Sequence, residues 1–527
     1  MIRLRQVKSN LNSSGDELLK QISNKLKIDI SEILSFRINK QSIDARDKEN
    51  IMYVYEFDIE VKDENKVLKR KSIDILKTPN EDYKFKITGT EKLTKRPVII
   101  GSGPAGLYAA YILSKNGYRP LILERGENID DRIKTVENFW KSGILNPESN
   151  VQFGEGGAGT FSDGKLNTLV KDSSFRNKKV LEIFVECGAP EEILYINKPH
   201  IGTDLLRDVV KNIRNKIIEF GGEFKFNSCL TNNNVLDNKI TSIEINNNEI
   251  ILTDVLVLAI GHSSRDTFRM LYKNKLNMSA KPFAIGVRVQ HNQEMINISQ
   301  YGEEYPNELP VASYKLTHKA KNGRGVYTFC MCPGGFVVNS SSEANRLAIN
   351  GMSNHARNEK NANSAVIVTI SPDDFGNNPL DGVIFQEKLE ELAFEKGNGQ
   401  IPVQLFKDFK NNKESKEFRS VNPIFKGNYK FTNLHEILPD YISDAIIEAL
   451  DAWNNKIKGF SNEDTIIAAI ESRTSSPIKI YRDDLTGEAN IQGIYPCGEG
   501  AGYAGGITSS AMDGLKVAEY IVKKYKI

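Results

Sequence analysis

Pro97-Val98-Ile99-Ile100-Gly101-Ser102-Gly103-Pro104-Ala105-Gly106 is the stretch that decides the fold. Val98 to Ile100 is a short, wholly apolar run of the kind a buried parallel strand requires. It passes straight into G-x-G-x-x-G. Gly101 permits the tight turn out of the strand, Gly103 lets backbone approach a pyrophosphate, and Gly106 lets helix and strand pack closely. Pro104 suits the first helical position, where its missing N–H costs nothing. A helix from Pro104 to Asn116, closed by Gly117, leads to a second apolar strand, Pro120 to Leu123, and then to Glu124. The N–H groups and dipole of that helix favour phosphate. Glu124, 18 residues after Gly106, stands where an acidic side chain accepts from ribose hydroxyls. Its charge also repels a 2′-phosphate, so the adenosine belongs to FAD or NAD rather than NADP.

Two further glycine-rich segments bear on that choice. Gly154-Glu155-Gly156-Gly157-Ala158-Gly159-Thr160-Phe161-Ser162-Asp163-Gly164-Lys165 repeats the glycine spacing but has no apolar strand before it. It is therefore expected to be a loop brought against the pyrophosphate or ring system of the first site, not a second site. Near the C-terminus, Ile491 to Pro496 reads as a strand followed by Gly498-Glu499-Gly500. A helix opens at about Gly506. Glu499 can hold ribityl hydroxyls. The amides of Gly506 and Ile507 can face the flavin N1/C2 carbonyl edge, where reduction places negative charge.

These motifs, with Leu258-Ala259-Ile260-Gly261-His262 after a three-strand insertion, resemble the glutathione-reductase-like FAD superfamily. Asn150 to Leu166, Thr328-Phe329-Cys330-Met331-Cys332-Pro333-Gly334-Gly335 and Gly498 to Gly506 are similar to an uncharacterised bacterial family of FAD-dependent dehydrogenases. The resemblance spans roughly residues 95 to 527. It implies bound FAD and an α/β fold whose Rossmann-like FAD-binding domain, with a three-strand β-meander, is discontinuous in sequence. The domains implied are the FAD domain over 91–269 and 471–527 and an inserted α+β substrate domain over 270–470, while residues 1–90 read from their own periodicity as a small separate α+β (βαββ) module. The candidate cofactor contacts are Gly101, Gly103, Pro104, Ala105, Gly106, Glu124, Arg125, Gly156, Gly157, Gly159, Thr160, Lys165, Gly261, Gly498, Glu499, Gly506 and Ile507. Gly157 to Lys165 lacks the cysteine pair of flavoprotein disulfide reductases, and no second βαβ fingerprint offers a dedicated NAD(P)H domain.

Outward from these motifs the chain is less eloquent. In the N-terminal module, Asp16 to Leu26 is an amphipathic helix between strand-like segments, and nothing there carries a chemical motif. Thr203 reads as the N-cap of a helix running to Phe220. Strands are expected at Glu223–Cys229, Lys239–Ile245 and Glu249–Ile260, and helices at Val383–Glu395 and Ile442–Asn454. The 527 residues carry a formal net charge of +2, which gives no electrostatic case for a nucleic-acid or anionic-membrane partner. No apolar run approaches a membrane-spanning length, and the N-terminus has no signal-like apolar stretch, so the chain reads as cytoplasmic. Five scattered cysteines exclude a disulfide framework.

No side chain declares itself an acid or base. Cys330 and Cys332 are a redox-pair or substrate-contact candidate, with close packing at a strand end as the plainer reading. They supply too few ligands for zinc, and no metal is expected. Arg473 and Arg288 are candidates for an acidic substrate or for structural ion pairs. His262 is expected to be positional. The expected function is hydride transfer between flavin N5 and an unidentified small organic substrate. The alternatives are an NAD(P)H-driven reductase or monooxygenase with transient nicotinamide docking, and a non-catalytic flavin-binding adaptor.

Overall fold

The computed structural model describes residues 1–70 and 72–527. Five short parallel strands form the central sheet, in the order Ile494–Pro496, Leu256–Leu258, Val98–Ile100, Leu121–Leu123, Glu223–Lys225. Numbered along the chain, that order is 3-2-1-4-5 read from the other edge, the doubly wound arrangement with a switch point beside the first strand. Four of the five strands are apolar and buried, as strands covered on both faces must be.

The helix Pro104–Lys115 lies against this sheet, with every residue from Ala105 to Ser114 buried. The last helix, Ile507–Lys524, packs on it at backbone distance: a Cβ on Gly514 would stand 2.2 Å from Ala105 O. The final strand and helix thus complete a unit begun about four hundred residues earlier.

The insertion between the third and fourth sheet strands is an antiparallel meander of Leu230–Leu236, Lys239–Ile245 and Glu249–Leu252. Two sequence-based expectations are corrected here. Glu223–Cys229 is not one strand, because the sheet strand ends at Lys225 and the meander starts only at Leu230. Glu249–Ile260 breaks at Thr253–Val255, where Asp254 turns out to accept from Thr94 N, Thr94 Oγ1 and Lys95 N. A third correction is local: the helix Thr203–Glu219 is capped by Gly202, and the Thr203 hydroxyl donates instead to Thr160 O at 2.7 Å.

Between Met278–Ala280 and Ile478–Ile480, which pair as an antiparallel neck, the chain builds a seven-stranded mixed sheet. Its order is Thr317–Lys319, Gly325–Cys332, Asn361–Ile370, Phe283–Asn292, Ile466–Glu471, Ile401–Leu405, Tyr429–Phe431. The helix Asp440–Trp453 covers one face, placing Trp453 and Ile446 among Ile285, Val287, Val366 and Phe460. Helix Asp381–Gly397 carries Glu390 toward the nucleotide domain.

The N-terminal four-stranded sheet, with helix Gly15–Leu26 on it, adds a short strand Ile75–Lys77 to the expected βαββ. It docks through Gln41, which exchanges main-chain hydrogen bonds with Tyr195 and Asn197, and through Ile51, which joins the core of the inserted sheet. Among the described residues no helix is long and apolar enough to cross a membrane.

Candidate functional site

Three glycine-rich segments meet at the C-terminal end of the first strand. Gly101 (φ +97°) lies so near the fourth sheet strand's exit that a Cβ would be 2.3 Å from Ala259 O. A Cβ on Gly106 would be 1.9 Å from Gly101 O. These are the turn and the close packing that only glycine allows. The Gly154–Gly159 loop folds over this turn: Gly156 N donates to Ser102 O at 3.0 Å, and a Cβ on Gly157 would be 3.1 Å from Gly103 Cα. Gly159 faces Ile507, and Gly498 and Gly500 close on Ala105 and Gly261. Residues far apart in sequence therefore share one cleft. Thr160, by contrast, is buried behind the loop, its hydroxyl against Glu155 O.

A buried arginine that sequence reasoning missed holds the loop in shape. Arg132, on helix Ile129–Ser142, donates five hydrogen bonds to the carbonyls of Asn150, Val151, Gly154, Glu155 and Gly157. Burial pulls its guanidinium down to about 10, so it stays charged at neutral pH. The helix follows Glu124 without any motif of its own; only the Asn128 cap marks its start.

Glu124 occupies the expected position at the end of the second strand, but its carboxylate is already engaged. Oε2 accepts from Ser102 N and Oγ, and Oε1 from Gly126 N and Gly154 N, at 2.7–3.0 Å. It ties the turn to the loop. Arg125 lies over the Phe153 ring and forks onto Asp266, with Glu148 beside it.

Whether these residues fit FAD rests on what the fold leaves open. Helix Pro104–Lys115 has no side-chain cap, and its N-terminus opens on Gly103, whose Cβ position has only Gly157 Cα nearby, at 3.8 Å. Gly261 has nothing within 4 Å of its Cβ position. That is a phosphate cradle of bare N–H groups. Beyond it stands the Glu499 carboxylate, with no hydrogen-bond donor among the described residues and pushed up to about 7 by burial, with Lys281 the counter-charge that acts on it. A hydroxylated chain would satisfy it. Helix Ile507–Lys524 likewise begins with no side-chain cap, at accessible Gly506. The residues fit FAD stretched from Gly103 to Ile507.

The catalytic candidates divide. Arg288 is fully buried and donates to Glu471, Asn363, Asn350 and Cys330 O. Arg473 donates to Glu390, Glu343 and Ser342. Both guanidiniums are consumed by the protein, which favours the ion-pair alternative over a substrate contact. His262, beside Ser263 Oγ, is pushed down to about 3 by burial and by Arg473 and Arg265, so it is neutral. Cys332 is buried and donates to Cys330 O at 3.3 Å, whereas Cys330 is accessible.

The family "FAD-dependent protein, C-terminal domain-like" matches residues 282–474, an NAD(P)-binding Rossmann-like domain matches 99–148, and a domain of unknown function (DUF8436) matches 1–60. An uncharacterized protein of Clostridium beijerinckii is 48% identical over 532 residues, covering 100% of this chain and 99% of its own length. A glycine oxidase structure from Geobacillus kaustophilus covers 83% of this chain and 96% of its own at 11% identity, with a TM-score of 0.37. An L-proline dehydrogenase structure from P. horikoshii covers 81% and 93% at 12%, with a TM-score of 0.33. Likenesses that distant carry no functional weight. The cofactor is FAD, and this chain, a flavoprotein with a Rossmann-like dinucleotide-binding sheet, belongs to the family of the Clostridium beijerinckii protein.

Proposed function

We propose that the protein is an oxidoreductase that passes a hydride between flavin N5 and a small organic substrate held by the domain at 270–470. The observation that carries this is the meeting of Gly101–Gly106, Gly154–Gly159 and Gly498–Ile507 at one turn, with Ser353 and Arg357 of the inserted region holding Asp163 where the loop leaves it. FAD, when bound, supplies a two-electron redox centre. The chain supplies the rest. Gly103 and the first turn of helix Pro104–Lys115 bind the pyrophosphate through backbone N–H groups. Gly156, Gly157 and Gly159 let the loop press against it, while Gly261 leaves room for it and Gly498 lets the last strand close on Ala105. Glu499 accepts from ribityl hydroxyls. Its elevated proton affinity falls once donors reach it. Gly506 and Ile507 aim N–H groups at the edge where negative charge accumulates on reduction. Glu124 and Arg125 hold the adenosine-side walls, Glu124 sharing its lone pairs between the chain and a ribose. Thr160 and Arg132 keep the loop rigid behind them.

The test is direct. Purified protein is expected to be yellow and to release one FAD on heat denaturation. Under nitrogen, amino acids, hydroxy acids, NADH and NADPH are each mixed with it while the visible band is followed. Bleaching by an organic substrate supports the reading. Bleaching by a nicotinamide alone supports transient nicotinamide docking instead. No bleaching by any of them, in protein whose flavin dithionite reduces, sinks the oxidoreductase reading.

A further inference from the structure

The cleft's end beside the last helix holds a positive charge without a full partner. The loop from Gly157 to Leu166 is pinned at one end on Gly103 and at the other by the Thr508 hydroxyl, which donates to Leu166 O at 2.7 Å. Lys165 therefore emerges next to the N-terminus of helix Ile507–Lys524. Its Nζ is shielded and finds no hydrogen-bond acceptor among the described residues. Its one ion pair, 3.3 Å to Asp163 Oδ2, is with a carboxylate already gripped by Arg357 at 2.9 and 2.6 Å and by the Ser353 hydroxyl. One carboxylate against two cations leaves one uncompensated positive charge. His200, packed beside this cluster, is pushed down to about 4 by burial and by Arg357 and adds none.

The inserted domain supplies the facing wall. Strand Gly325–Cys332 loses register against Asn361–Ile370 between Phe329 and Cys332. Within that bulge Cys330 adopts φ +41°, a left-handed conformation that a non-glycine residue keeps only where the surroundings enforce it. The enforcing contact is Arg288, locked to Glu471, which donates to Cys330 O at 3.1 Å. The consequence is that Cys330 turns outward while Met331 and Cys332 turn in. The thiol is accessible, yet surrounding protein pushes it up to about 12, with Lys165 the nearby charge acting most strongly on it. Four residues on, Gly334 packs on Arg357, a Cβ there standing 1.8 Å from Arg357 O, so this strand end lies against the cluster that grips Asp163.

We propose that Lys165 and Cys330 form a substrate subsite for a small carboxylate, the Lys165 ammonium pairing with the anion and the Cys330 side chain bounding the space beside it. This rests on the FAD reading above and adds the substrate class. A single ammonium balances a monoanion, whereas a phosphate dianion would need a second cation, and the nearby guanidiniums are consumed by Asp163, Glu471 and Glu390. A shielded cation lacking an acceptor gains most from a ligand that brings the opposite charge into the same dry space.

The test uses the holoprotein. Acetate, propionate and benzoate, and their neutral amides, are titrated against the visible flavin band. In parallel, the same titrations are run on Cys330→Phe, whose ring would narrow the space beside the ammonium. Carboxylates are expected to perturb the band saturably and amides not to, and Cys330→Phe is expected to weaken benzoate about tenfold or more while sparing acetate. Lys165→Met should retain FAD and weaken carboxylate binding about tenfold or more, with Lys165→Arg closer to wild type, as loss of one charge-assisted pair implies. Equal effects of acids and amides, no effect of either, or unchanged binding by Lys165→Met would overturn the proposal. So would loss of FAD from Lys165→Met, which would make the lysine a cofactor anchor. Wild-type protein that holds FAD but shows no carboxylate preference fails this proposal alone; protein that takes up no FAD fails both.

Discussion

Removing the Arg132 guanidinium leaves five main-chain carbonyls facing a hole. Arg132→Leu is expected to lower unfolding stability by about 3 kcal/mol or more and to lose FAD even where the protein remains folded. Denaturant titration with flavin-to-protein stoichiometry checks both. Glu499 gives a pH prediction. Its folded-state affinity for a proton is raised to about 7 from 4.5, so its contribution to stability in FAD-free protein is complete below 4.5 and lost as pH rises through 7. Glu499→Gln should flatten that part of the melting-temperature profile between pH 4.5 and 7. An unchanged profile would mean that the carboxylate finds donors in solution. At this scale the sequence was most readable where backbone geometry demands glycine. Gly101, Gly103 and Gly106 announce themselves because nothing larger fits. Arg132 did not, since a buried arginine and a solvated one are the same letter until the loop it serves is folded.

The Gly154–Gly159 loop and the two uncapped helices act together as elements. Gly157→Ala imposes a left-handed φ of +63° on a residue with a Cβ, 3.1 Å from Gly103 Cα. The conformational part costs about 1–2 kcal/mol, and the contact pries the loop off the turn. The expected outcome is FAD affinity reduced about tenfold or more with an unchanged far-ultraviolet circular dichroism spectrum, measured by fluorescence titration of stripped protein. Elements with a strong period or an apolar run were legible to within a few residues, as helices Asp381–Gly397 and Asp440–Trp453 show. Those fixed by side-chain capture of the backbone were not. Asp254 breaks what reads as one long strand because Thr94 and Lys95, distant in sequence, offer it three donors. The cap of the Thr203–Glu219 helix shifted because Thr160 O, also distant, claims the hydroxyl.

Across the molecule, one buried carboxylate joins two domains. Glu390, on the inserted domain, accepts from Arg265 of the nucleotide domain and from Arg473 where the chain returns. Those two guanidiniums hold its carboxyl far below the usual range, so its stabilisation is full above about 4.5 and is lost as pH falls toward its folded value. Glu390→Gln strands two buried cations and should cost about 3–5 kcal/mol. It should also shrink the acid-side fall in stability, read from urea midpoints between pH 3 and 7. No sequence pattern paired these residues, because the link exists only once the insertion has folded back.

The sheet order carries a consequence for biosynthesis. The edge strand Ile494–Pro496 and the helix Ile507–Lys524 that roofs the dinucleotide turn are synthesised after the whole of the inserted sheet. Until both have emerged, the nascent chain carries an unroofed apolar platform. A chain truncated before Ile507 is therefore expected to be aggregation-prone and colourless, read from its soluble yield and visible spectrum.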